Sequence, residues 1–115
     1  MLTRFCEPCY LHQVVIRTQE GALKRYNDLP EAFQGHARAE GDEWRIHYHV
    51  PIFAERVQSC DTTRFFIEEL VPLLDKQTLL EVETYTWEVL PPELRMETVT
   101  GSIIREIQWL KGVRT

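Results

Sequence analysis

The sequence predicts an α/β fold: three consecutive βα units, equivalent to the C-terminal part of a (β/α)₈ TIM barrel. Three observations carry this expectation. Apolar runs near 10–16, 44–53 and 79–87 read as strands, and each precedes a stretch of helical periodicity, near 29–40, 62–75 and 100–111. Strands alternating with helices at this spacing imply right-handed crossovers and a parallel sheet. Two of the strands also carry a face too polar for a second helix layer, which suits the inside of a barrel near the strand C-termini. A complete barrel takes about 200 residues or more. The 115 residues here are therefore expected to form one partial-barrel domain, 1–115, that belongs to a larger protein or completes its sheet with another copy. The competing expectation is a two- or three-layer α/β domain with its charged face in water.

The elements follow in order. Tyr10–Ile16 is the first strand; Glu20-Gly21 reads as a turn, with Ala22–Tyr26 returning as a short hairpin arm. Asp28-Leu29-Pro30-Glu31 opens the first helix, with an Asp cap, Pro in the first turn and Glu three residues after the cap. Leu29, Ala32, Phe33 and Ala37 mark its inner face and Gly41 its stop. The second strand runs from Trp44 to Phe53. Asp61 or Thr62 caps the next helix, which places Phe66, Leu70, Leu73 and Leu74 on one face; Pro72 predicts a kink or an early stop. The third strand runs from Leu79 to about Trp87, and Pro91-Pro92 ends regular structure. The last helix starts near Thr100, carries Ile103, Ile104, Ile107 and Leu110 inward, and ends at Gly112.

Composition narrows the function classes. The chain is 43% hydrophobic and 27% charged, ordinary for a globular domain, and its net charge of −5 argues against nucleic-acid binding. No apolar run approaches the roughly 20 residues of a membrane span. The first residues lack the features of a signal peptide. A cytoplasmic location and three reduced thiols are expected. No phosphate-binding loop or nucleophile elbow is present. Exposed sheet edges predict a homo-oligomer.

Two short runs hold most of the candidate chemistry. In Trp44–Val50 and Leu79–Tyr85, strand alternation puts His47 and His49 on one face, and Glu81 and Glu83 on one face, about 6.6 Å apart along the chain. Neighbouring strands would bring two imidazoles and two carboxylates together. Imidazole binds metals and moves protons near neutral pH. Carboxylates are rarely buried unless paired, so Glu81 and Glu83 want a cation, and Glu81 is placed to meet Arg45. A mixed imidazole/carboxylate set suits Mn²⁺, Zn²⁺, Co²⁺ or Fe²⁺ better than Ca²⁺. The plainer reading gives the same residues ordinary hydrogen bonds and ion pairs. Cys6-Glu7-Pro8-Cys9 has CxxC spacing, with His12 three residues on, but it leads into a strand and has no second pair. Cys60 reads as an isolated thiol, and His36 as a surface or packing residue. Trp44, Tyr85 and Trp87 serve either a pocket or a core.

Tyr10-Leu11-His12-Gln13-Val14-Val15, Trp44–Phe53 and Leu80-Glu81-Val82-Glu83-Thr84-Tyr85-Thr86-Trp87 together resemble the last third of the EboE family of metabolite traffic proteins. These belong to the xylose-isomerase-like TIM-barrel superfamily of sugar phosphate isomerases and epimerases. The resemblance runs from about Phe5 to Leu110, and its third segment is the most specific. It implies that the strands are the sixth to eighth of a barrel and that His12, His47 or His49, and Glu83 match divalent-metal ligands. The reading that follows is a metal-dependent isomerase/epimerase-like domain acting on a sugar- or polyol-like small molecule. His12, His49 and Glu83 hold the ion, and Glu81 and His47 move protons. The rivals are a non-catalytic metabolite-binding or trafficking module and an inactive truncated barrel.

Overall fold

The computed structural model describes residues 2–114; Met1 and Thr115, the ends of the expected 1–115 domain, lie outside the described residues. It overturns the barrel. The order is β1 (Val14–Arg17), β2 (Leu23–Tyr26), α1 (Leu29–Gly35), β3 (Glu43–Ile46), β4 (Arg56–Val57), β5 (Cys60–Asp61), α2 (Arg64–Leu70) and α3 (Val99–Arg114), with short 3₁₀ turns between. Every ladder is antiparallel, in two small sheets ordered β2-β1-β3 and β4-β5. This is a small α+β arrangement, not three successive βα units. The helical periods misled because a βα alternation in sequence predicts crossovers only if each helix returns the chain parallel. Here β1 turns straight back into β2. The chain gathers into two compact units, 2–49 and 50–114.

In the first unit a hairpin sets the sheet. Gly21, at φ +88°, lets the turn close, and its N–H donates to the Thr18 carbonyl at 2.9 Å. β1 pairs Ile16 with Lys24 on one side and with Trp44 on the other. As the central strand, β1 supplies Val14 and Ile16 to a core completed by Leu29 and Ala32 of α1 and by Phe5. Asp28 caps α1 as predicted: its Oδ1 accepts from Leu29 N at 2.9 Å. Glu31 reaches back past the cap to Asn27 N, at 3.2 Å. α1 ends at Gly35, well short of the expected 40. A methyl group at Gly35 would sit 2.6 Å from the Tyr26 ring, so only glycine permits that approach.

The expected strand over 44–53 ends at Ile46, still within the first unit, and residues 47–53 belong to no strand. β4 and β5 form a minimal hairpin in which Gln58 takes φ +59°. Thr62 Oγ1 and Arg64 hold the preceding loop, donating to the Ala54 and Phe53 carbonyls at 2.6 and 3.0 Å. α2 yields to a 3₁₀ turn at Val71–Leu73, where Pro72 lacks the N–H a continuing helix needs. The face predicted to be inner is outside: Phe66 is 57% exposed and Leu73 82%. Residues 79–84 make no ladder, so the third expected strand is absent among the described residues. α3 is the longest helix, but rotated from the prediction. Ser102 and Glu106 are buried while Ile104 and Ile107 are exposed. Near its end, Arg114 donates to the carbonyls of Asp75, Lys76 and Thr78, at 3.1, 2.5 and 3.4 Å.

Candidate functional site

His12, His47 and His49 all lie in the first unit, the latter two where β3 runs out. His47 N donates to the Gln13 carbonyl at 2.8 Å, continuing the β1–β3 pairing one residue beyond the strand. This keeps the chain extended, and side chains alternate. Tyr48 turns to one side, edge-on to Phe5 and stacked on His12, each at a centroid distance of 4.8 Å. His47 and His49 share the other side. Their Nε2 atoms are 3.2 Å apart and the ring planes are inclined by 40°. His47 is exposed and His49 half-buried.

His12 sits on the Tyr48 side. It is 4% exposed, its Nε2 lies 3.4 Å from Glu7, and its Nδ1 lies 3.8 Å from Asp28 without a hydrogen bond among the described residues. Both carboxylates serve the backbone. Asp28 accepts from His12 N at 2.9 Å, and Glu7 accepts from Cys9 N and Tyr10 N at 2.6 and 3.1 Å. Glu7 thus closes the Cys6–Cys9 turn. Burial first, and the Asp28 charge second, push the Cys6 thiol above its ordinary range. That favours the protonated thiol over the thiolate that redox or metal chemistry would use. Cys6, Cys9 and Cys60 are all free.

Glu81 and Glu83 belong to the second unit and are both exposed, with Val82 and Thr84 between them half-buried. The alternation predicted for this run survives without the strand that was to impose it. Arg45 has its partner nearby. It pairs within its own strand with Glu43, at 2.6 Å, and Arg17 reaches the same carboxylate from β1. Those two guanidinium groups, Arg45 first, hold Glu43 below the ordinary carboxylate range. Trp44 lies against Phe33 and His36, at 5.9 Å from each ring, as packing for α1. Among the described residues no three His, Cys, Asp or Glu side chains are placed together to hold a metal ion. Of the five residues assigned chemistry from the sequence, His47 and His49 are brought close to each other.

Two polar arrangements escaped sequence reasoning. His36 Nε2 meets Asp42 Oδ2 at 2.7 Å in a buried pair, and Lys24 Nζ approaches His36 Nδ1 at 3.2 Å. An ammonium must donate, so Nδ1 accepts and Nε2–H donates to Asp42. That hydrogen bond is the main cause of Asp42's lowered pKa. The signal in the sequence is faint: an Asp six residues after a His, beyond Gly41. In the second unit, buried Glu106 accepts from Ile52 N at 3.1 Å. Burial raises its pKa against the opposing pull of that hydrogen bond. Both arrangements pin chain segments.

The His47–His49 pair is the arrangement with the clearest chemical capacity. Neutral imidazole is the commonest metal ligand. Zn–N distances of about 2.0–2.1 Å turn a donor separation of 3.2 Å into an N–Zn–N angle of about 100–106°, near the tetrahedral value of about 109°. No family, no curated protein and no solved structure matches this chain.

Proposed function

We propose that this chain is a small metal-binding module that takes a divalent transition ion on His47 and His49 and is not itself a catalyst. The observation that supports it is the 3.2 Å separation of the two Nε2 atoms, already the bite of a chelate. Within the set Mn²⁺, Zn²⁺, Co²⁺ and Fe²⁺, an all-imidazole pair favours Zn²⁺ or Co²⁺, since the earlier metals want more oxygen donors. The ion's remaining positions would take water or oxygen atoms of a sugar- or polyol-like metabolite. This fits the handling role that the EboE resemblance implies. The isomerase reading drew its support from carboxylates meeting imidazoles on a curved parallel sheet, and the sheet is antiparallel. A cytoplasmic setting belongs to the same proposal, because three free thiols suit a reducing compartment. No described helix is long and apolar enough to cross a membrane.

Titration with CoCl₂ and ZnCl₂ tests the binding. Visible cobalt absorption and a zinc-dependent rise in Tm are expected, both lost in the His47→Ala, His49→Ala double variant. At free zinc one hundred times Kd the added stability is about 2.7 kcal/mol. No cobalt spectrum and no thermal shift in the unaltered chain would refute the proposal.

A further inference from the structure

We infer that the outward face of α2 is a docking surface for a basic amphipathic helix of another protein. The inference goes beyond metal binding and uses no residue of that site. α2 and the 3₁₀ turn that continues it carry more apolar surface outside than inside. Val71 is buried and Ile67 and Leu74 are half-buried, so these mark the inner side. At about 100° per residue, Phe65, Phe66 and Leu73 fall opposite them, with Leu70 at the margin, and all four are exposed. Aromatic side chains bring about 150–250 Å² each, so two that are 56% and 57% exposed leave about 170–280 Å² in solvent. The leucines carry the patch into the range of a few hundred Å² at which surface patches are often functional.

Charge selects the occupant. Glu69 lies one turn beyond Phe65 and one turn before Leu73, inside the apolar face. It is exposed and has no ion pair among the described residues. A partner that covers this face must meet the carboxylate with a cation or strip its water without compensation. Glu68 flanks the face, and Arg64, the cation of the same helix, is already engaged by Glu68 at 3.1 Å and Glu55 at 3.7 Å. Across 61–83, six carboxylates stand against two cations. Such a field draws basic segments and repels acidic ones. A second copy brings the same carboxylates and an anionic lipid surface brings phosphates, so both meet repulsion. What fits is a helix with leucine-type anchors at i, i+3, i+4 and i+7 and with Lys or Arg beside them. The face is small, which places the contact in the weak, transient class.

Fluorescence anisotropy with a labelled amphipathic peptide of repeating Leu-Lys-Lys-Leu-Leu-Lys-Leu tests the docking, on the full chain and in EDTA so that no metal takes part. The expected result is binding of this peptide, but not of its Glu-for-Lys form, nor of its Ser-for-Leu form, which keeps the charge. Leu73→Ser should weaken binding at least about tenfold through lost apolar contact. Glu69→Lys should weaken it about tenfold, a repulsion replacing an attraction, and should let the Glu-bearing form bind. Both positions are exposed, so both variants should melt like the parent. No binding of the Lys-bearing peptide overturns the inference. Equal binding of the Ser-bearing form shows attraction by charge alone and overturns it too. So does weakening in only one of the two variants, or in neither. A concentration-dependent dimer in sedimentation that Leu73→Ser disperses assigns the face to a second copy instead. None of these outcomes bears on the His47–His49 proposal, which the cobalt and zinc titrations decide separately.

Discussion

Replacing Ile16 with Ala should remove a large part of the first unit's stability, while Leu73→Ala, an equally apolar change, should remove almost none. Ile16 is 0% exposed, at the middle of the central strand between Lys24 and Trp44. Deleting its three outer carbons forfeits about 2.4 kcal/mol of transfer energy, at about 0.8 kcal/mol per carbon. The residual cavity raises the expected cost to about 3–4 kcal/mol, within the usual span for such truncations. Leu73 is 82% exposed, so its truncation should stay within about 0.5 kcal/mol of neutral. The Ile16→Val variant should cost about 0.5–1.5 kcal/mol. Urea unfolding followed by circular dichroism measures all three. With a slope of about 1–3 kcal/mol/M, the Ile16→Ala midpoint should move by one molar or more. If Leu73→Ala costs as much as Ile16→Ala, the outward placement of the α2 face is wrong and the reasoning falls with it.

Two other predictions concern titration. Asp42 has a lowered pKa, so its contribution is present above the unfolded value, about 3.9, and is lost as pH falls through the folded one; Asp42→Asn should flatten the acid limb of a stability–pH curve. Glu106 has a raised pKa, so the folded state binds its proton more tightly and stability declines as pH rises past about 4.3; Glu106→Gln should remove that decline, and an unchanged slope would contradict its burial. At the Cys6–Cys9 turn, iodoacetamide should label exposed Cys9 several-fold faster than Cys6, whose thiol is held protonated, as read by peptide mass spectrometry at neutral pH. Equal rates would argue against the shielding.

Local signals in the sequence were legible, and long-range ones were not. The Asp28 cap, the Gly21 turn and the break at Pro72 each depend on chemistry within a few residues, and all are present. The shared side of His47 and His49 depends only on extended chain, and it holds although the strand stops before them. Strand direction depends on partners far away, and there the reading failed. A run such as Leu79–Tyr85 is apolar and alternating enough for a sheet, yet no other strand pairs with it among the described residues. The inward face of α3 was misjudged because three isoleucines outweighed Ser102 and Glu106, both buried, the latter with a hydrogen bond from the Ile52 backbone. His36 and Asp42 were invisible because their meeting depends on α1 ending at Gly35, which leaves His36 as its C-cap.

The grip of Arg114 on three backbone oxygens between Asp75 and Thr78 ties the last turn of α3 to a segment nearly forty positions earlier. A single guanidinium therefore acts as the clasp of a belt around the second unit. Trimming the chain back past that side chain should loosen the 75–78 bend, and a protease would then find its first cut there.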